Sequence, residues 1–122
     1  MTLLLITVTA YAELNPATYF EIEIKARQLA ITGMRERLAC MQDQNCPDSR
    51  AAEIDEIFQA VIINMYMKYN TTPSQVAAYY THNSQAVDDY LRYNINLQVT
   101  LNQLTAIFES VSDKIRPLLE MQ

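Results

Sequence analysis

The C-terminal third of the chain decides the fold. Residues 84–118 read SQAVDDYLRYNINLQVTLNQLTAIFESVSDKIRPL, in which Pro117 is the only helix breaker. Positions spaced alternately by three and four residues form one continuous seam, as on one face of a helix. The seam consists of Val87, Tyr90, Asn94, Leu97, Leu101, Leu104, Phe108, Val111, Ile115 and Leu118. It predicts a long C-terminal helix.

Whether this stretch forms one helix or two has consequences for assembly. A single helix of about 30 residues would be roughly 45 to 50 Å long, more than a compact domain of this size needs. Its free end would then offer a surface for a homodimer. A break near residues 94–96 would instead give two helices and a self-contained bundle. We favour the continuous helix.

The first helix is predicted to begin at Asn15 and Pro16, an N-cap followed by proline in the first turn, and to run to the low forties. Its apolar stripe contains Gly33, the only glycine of the chain. Glycine inside a helix costs about 1 kcal/mol relative to alanine. Gly33 therefore marks either a close approach of another helix or simply a tolerated position.

Two further helices are expected between the first helix and the seam. Asp48 or Ser49 caps the second helix, which should stop near Asn70. Thr72 opens a capping box for a short third helix, which residues 81–84 interrupt. The predicted fold is an all-α, small bundle of four to five helices with a long C-terminal helix and one short disulfide loop.

The first twelve residues differ from the rest of the chain. Residues 3–8 are almost wholly apolar, and Ala10-Tyr11-Ala12 before Glu13 matches a signal-peptidase site. We interpret residues 1–12 as a signal peptide and residues 13–122 as a single domain that does not insert stably into a membrane. No positive charge precedes Lys25, so the alternative is a retained N-terminal strand or helix turn. The signal-peptide interpretation predicts a periplasmic or secreted protein.

Cys40 and Cys46 are the only cysteines, and five residues separate them. The intervening turn-forming residues allow the two to meet, and a disulfide is the expected product in an oxidising compartment. Free buried thiols are the main alternative. Structural zinc needs four ligands, and redox motifs use a tighter spacing. The cysteines thus agree with export.

Composition argues against several classes of function, namely nucleic-acid binding, catalysis and metal binding. The net charge of −5 and the thin spread of basic residues argue against nucleic acid as a partner. His82 is the only histidine and lies in a predicted turn, so neither a catalytic triad nor a two-histidine metal site can be assembled around it. We expect a protein that is not an enzyme and that uses no cofactor or metal.

Tyrosines are concentrated in one part of the chain, where six of the eight occur. They are Tyr66, Tyr69, Tyr79, Tyr80, Tyr90 and Tyr93. Tyrosine is enriched in protein interfaces because its ring buries a large area while its hydroxyl stays hydrated. The six are our candidate partner-binding residues. The alternative is that these rings close the edge of a thin bundle.

Taken together, these features predict an exported protein-binding module. Its most concrete form is a periplasmic inhibitor or immunity-type protein that sterically blocks a basic toxin or hydrolase, because the acidic chain suits a basic partner. The alternative is a pilotin-like or chaperone-like adaptor subunit of a bacterial envelope assembly. A small-molecule carrier is a third class, since pockets form between the helices of bundles.

Overall fold

A computed structural model describes residues 13–121 and contains four helices. They are α1 (Pro16–Gln42), α2 (Asp48–Lys68), α3 (Pro73–Arg92) and α4 (Ile95–Glu120). The described residues contain no strand, which confirms the all-α bundle with a long C-terminal helix. The predicted signal peptide, residues 1–12, lies outside the described residues.

Two of the three predicted helix starts are confirmed by their capping bonds. The backbone N–H of Thr18 donates to the Asn15 side chain at 2.9 Å, and that of Gln75 donates to the Thr72 hydroxyl at 3.1 Å. The third differs, because Pro47 rather than Asp48 or Ser49 occupies the N-cap of α2. Its extended backbone leaves the Pro47 carbonyl free to accept from the N–H of Arg50 at 2.9 Å.

The predicted disulfide loop joins α1 to α2. Cys40 and Cys46 are bonded, with their Cα atoms 5.3 Å apart. That separation lies within the usual range for disulfides. The bond closes the turn directly after α1, so the end of α1 and the start of α2 are covalently held together.

The prediction of one continuous helix over residues 84–118 is wrong. The chain leaves the helix at Tyr93 and Asn94 and resumes at Ile95. The break is stabilised because the Asn94 amide donates to the Tyr90 carbonyl at 2.6 Å, and the Gln98 amide donates to the Leu91 carbonyl at 2.8 Å. These side chains satisfy carbonyls that a helix end leaves without partners.

The interruption predicted at residues 81–84 is present as a kink inside α3. Asn83 has non-helical backbone angles, with φ −133° and ψ 28°, while its amide donates to the Tyr79 carbonyl at 2.9 Å. The side chain thus keeps a helical carbonyl bonded where the backbone departs from helix geometry. The residues on either side belong to one bent helix.

Helix α1 lies at the centre of the fold, where it packs chiefly against α2 and α4. On one face Ile22 meets Met65, Tyr66 and Val76. On the opposite face Phe20 meets Val87 and Leu101, and Leu38 meets Val111 and Ile115. A helix that is buried on two sides must be apolar on two sides, which explains the wide stripe in its sequence.

Two positions refine the predicted core. A Cβ added at Gly33 would lie 2.7 Å from the Phe58 Cγ, so the close-approach interpretation of this glycine is confirmed. Phe108, expected on the buried seam, is 44% exposed, and the preceding residue Ile107 packs against the cluster around Leu38 instead. The seam therefore shifts by one residue in this turn of α4.

Candidate protein-binding surface

Tyr19 of α1 organises the aromatic residues at one end of the bundle. Its ring centroid lies 5.9 Å from those of both Tyr79 and Tyr80 on α3, and 5.1 Å from that of Phe20 in an edge-to-face arrangement. Aromatic pairs at such distances add to the stabilisation from burial alone. Tyr79 and Tyr80 thus hold α3 against α1.

The electrostatics of this end follow from burial. Desolvation raises the pKa of Tyr19 to about 12, and the nearby Glu23 carboxylate acts in the same direction. Burial also raises the pKa of Glu23, although Arg27 at 3.9 Å opposes that shift. The phenol of Tyr19 is therefore neutral throughout the physiological range.

Three more of the candidate tyrosines are engaged within the protein. Tyr66 is buried in the core, and Tyr90 stacks on Phe20 with ring centroids 5.9 Å apart. Tyr69 is half-buried, with the Lys25 Nζ 5.1 Å from its ring centroid. The structure therefore does not bring the six tyrosines together on one surface.

Tyr80 and Tyr93 are the members of the set that the structure leaves exposed. The Tyr80 hydroxyl donates to the Asp88 carboxylate at 3.2 Å across the kink of α3, which raises the pKa of the tyrosine. Tyr93 lies at the turn between α3 and α4 and is 78% exposed. Tyr93 is thus free to contact another molecule with its whole ring.

Two aliphatic side chains follow Tyr93 and extend the exposed apolar area. Ile95 is 70% exposed and Val99 is 47% exposed, and their spacing of four residues places them on one face of α4. We call Tyr93, Ile95 and Val99 the junction surface. Sequence reasoning did not identify Ile95 and Val99. Their positions off the predicted seam were the signal that could have indicated their exposure.

A cleft of ≈ 400 Å³ opens at the same turn between the two helices. It is lined by Asp88, Leu91, Arg92, Gln98, Leu101 and Asn102. Arg92 and Asp89 form an ion pair at 3.2 Å beside it. Polar and charged side chains therefore lie at the turn that also carries Tyr93.

Other parts of the described chain offer little chemistry. His82 is exposed and lines a shallow cavity of ≈ 230 Å³ with Thr71, Asn83 and residues of α3. Within residues 13–121, no three metal-binding side chains form a group. None of the described helices combines the length and apolar content needed to cross a bilayer.

Comparison with known proteins finds no family model, curated protein or solved structure that matches this chain. The class that the fold defines is a small four-helix domain with one disulfide.

Proposed function

We propose that this protein is an exported, non-enzymatic binding module that blocks a protein partner, in the manner of an inhibitor or immunity-type protein. The observation that carries the proposal is the junction surface. Three large apolar side chains, 78%, 70% and 47% exposed, follow one another within seven residues. Large apolar side chains that are left exposed close together in the chain are typical of an interaction site.

The disulfide and the charge support the rest of the proposal. A bond between Cys40 and Cys46 is typical of proteins that work in oxidising compartments. The net charge of −5 favours a basic partner, whose approach it would accelerate at low ionic strength. Steric blocking of a partner needs an apolar anchor and no reactive group, and the exposed Tyr93 ring is our candidate for that anchor.

The test is capture of the partner from an envelope extract of the native host by the full chain. Ile95→Asp combined with Val99→Asp should abolish capture of any partner that wild type retains. Ile57→Asp combined with Ile63→Asp is the matched control, because it charges two comparably exposed aliphatic residues on α2. Loss of the partner in the control but not in the junction variant would refute the proposed surface.

A second comparison separates binding from chemistry. Tyr93→Ala should weaken capture by roughly tenfold or more, since buried aromatic anchors commonly contribute about 2 kcal/mol. His82→Ala should leave capture and inhibition unchanged. If His82→Ala removes the activity while Tyr93→Ala does not, a binding module is the wrong class of function.

An adaptor subunit is the second candidate, and one observation on α4 favours it. Phe108 and Leu119 are 44% and 43% exposed, and their spacing of eleven residues places them on one helix face. Such a face could pair with a second copy or an assembly subunit. Light scattering of wild type and Phe108→Glu tests pairing with a second copy, which predicts a dimer that the substitution dissociates.

Export itself is tested by the intact mass of protein recovered from the native host. We expect a chain that starts at Glu13 and whose cysteines react with an alkylating reagent only after reduction. Retention of residues 3–12, or two reactive thiols without reduction, would contradict export.

A further inference from the structure

A groove between α1 and α2 lies apart from the junction surface and has a different chemistry. It encloses ≈ 540 Å³ and is lined by Lys25, Leu29, Val61, Asn64, Met65, Lys68 and Tyr69. Its size falls within the range of about 300 to 1,000 Å³ typical of small-molecule sites. Apolar side chains dominate the lining, and a few polar groups stand among them, as such sites require.

The two lysines set this groove apart from the rest of an acidic protein. The chain has three lysines, and two of them, Lys25 and Lys68, line the groove from different helices. Four arginines elsewhere each lie within 4 Å of a carboxylate three or four residues away. Among residues 13–121, neither groove lysine has such a partner. Glu21, one turn before Lys25, acts on it only from farther away.

Each of the two lysines also has a favourable local interaction. Lys68 belongs to the last turn of α2, where a positive charge interacts favourably with the helix dipole. The Lys25 ammonium rests 5.1 Å from the centre of the Tyr69 ring, a cation–π contact that holds it at the groove. A negatively charged ligand in the groove would therefore meet two lysine residues, one from each helix.

The cavity also exposes apolar surface that a ligand could cover. Val61 of α2 lines the groove and is 38% exposed. Leu29 is half-buried, and Met65 is buried beneath it in the core. The groove thus combines an apolar floor with two cationic groups.

We propose that this groove binds a small amphipathic carboxylate, such as a medium-chain fatty acid. Its acyl chain covers Leu29, Val61 and Met65, and its carboxylate lies between the ammonium groups of Lys25 and Lys68. The proposal is independent of the proposed partner-binding function, because no residue of the junction surface lines this groove.

The experiment is a titration of the full, oxidised chain with decanoate below its micelle concentration, followed by the backbone amide NMR signals. We expect saturable shifts centred on Leu29, Val61 and Lys68, and weaker binding as salt is raised. Decanol and acetate are the two comparison probes, since each keeps only one half of the ligand. Both should bind at least about tenfold more weakly than decanoate.

A matched pair of variants tests the two charges. Lys25→Gln combined with Lys68→Gln should weaken decanoate binding about tenfold, because two partly exposed ion pairs are lost. Lys114→Gln, at the third lysine, on α4, should leave the affinity unchanged. Circular dichroism of each variant should match wild type, since all three side chains lie on the surface.

Three results would overturn the proposal. One is the absence of saturable decanoate binding, and another is a set of shifted amides that lies outside the groove. The third is equal binding of decanol and decanoate together with unchanged affinity in the double lysine variant. None of these results bears on capture of a protein partner by the junction surface.

Discussion

At the scale of single residues, Gly33 shows how one missing side chain positions two helices. The Phe58 Cβ and Cγ would lie 2.8 and 2.7 Å from any Cβ at position 33, closer than such atoms come in proteins. The Phe58 ring therefore occupies the space that the Cβ of any residue other than glycine at position 33 would need. Helices α1 and α2 approach as closely as they do because the residue at this point is glycine.

We predict that Gly33→Ala lowers the free energy of unfolding by about 1 kcal/mol. The substitution gains about 1 kcal/mol of helix propensity, but overpacking costs about 1 to 3 kcal/mol, and the second effect is the larger. Chemical denaturation of the two proteins measures the difference. A more stable alanine variant would show that Phe58 moves aside freely.

Leu101 and Phe108 provide a second test at this scale. Both lie on the predicted seam, but only Leu101 is buried in the structure. Leu101 is buried against Phe20 and Val87, so Leu101→Ala should cost about 2 to 5 kcal/mol. Phe108 is 44% exposed, so Phe108→Ala should cost about 1 kcal/mol or less. Equal losses in urea denaturation would mean that Phe108 is covered in solution.

At the scale of elements, the separation of α3 from α4 shapes the molecule. The Gln98 amide donates to the carbonyls of Leu91 at 2.8 Å and Arg92 at 3.1 Å, so one side chain of α4 caps the end of α3. The turn lets Val87 of α3 and Leu101 of α4 both contact Phe20. The turn also leaves the junction surface exposed. In a continuous helix, Tyr93, Ile95 and Val99 would have a different arrangement.

We expect Gln98→Ala to lower the free energy of unfolding by about 1 kcal/mol, because it leaves two helix-end carbonyls without these donors. The matched control is Gln59→Ala. Its amide donates only to the exposed Asp55 carboxylate at 3.3 Å, and its loss should change stability by less than about 0.5 kcal/mol. Thermal denaturation of both variants makes the comparison, and equal effects would argue against a capping role for Gln98.

At the scale of the whole molecule, phenols with raised pKa values link stability to alkaline pH. Desolvation raises the pKa of Tyr19 to about 12 and also raises the pKa values of Tyr66 and Tyr79. Between pH 10 and about 12 the unfolded chain loses the Tyr19 proton while the folded protein keeps it, and the raised pKa values of Tyr66 and Tyr79 act in the same direction. The free energy of unfolding should therefore be unaffected by these groups below pH 10 and fall as pH rises above it.

Urea denaturation across this pH range checks that expectation, with tyrosinate absorbance as the record of ionisation. Tyr19→Phe should make the alkaline loss of stability smaller, because one of the coupled protons is gone. Tyr93→Phe is the control at an exposed ring and should leave the loss unchanged. Stability that rises with pH above 10 would contradict the raised pKa values.

Local chemistry accounts for what could be predicted from the sequence alone. Asn15 and Thr72 bond to N–H groups three residues away, and Cys40 reaches Cys46 across a short turn. These interactions involve neighbours in the chain, so their residue types and spacings suffice to predict them. The starts of α1 and α3, the all-α class and the disulfide could therefore be predicted from the sequence.

Features that depend on contacts between residues far apart in the chain could be read only from the tertiary structure. With the break at Asn94, Val87 and Leu101 both pack in the cluster around Phe20, and Ile107 rather than Phe108 packs against the cluster around Leu38. For the same reason, Tyr66 is buried while Tyr93 is exposed, although both are tyrosines at helix ends. The spacing of residues within one helix does not show which other helices pack against it, so only the packed structure distinguishes exposed residues from core residues.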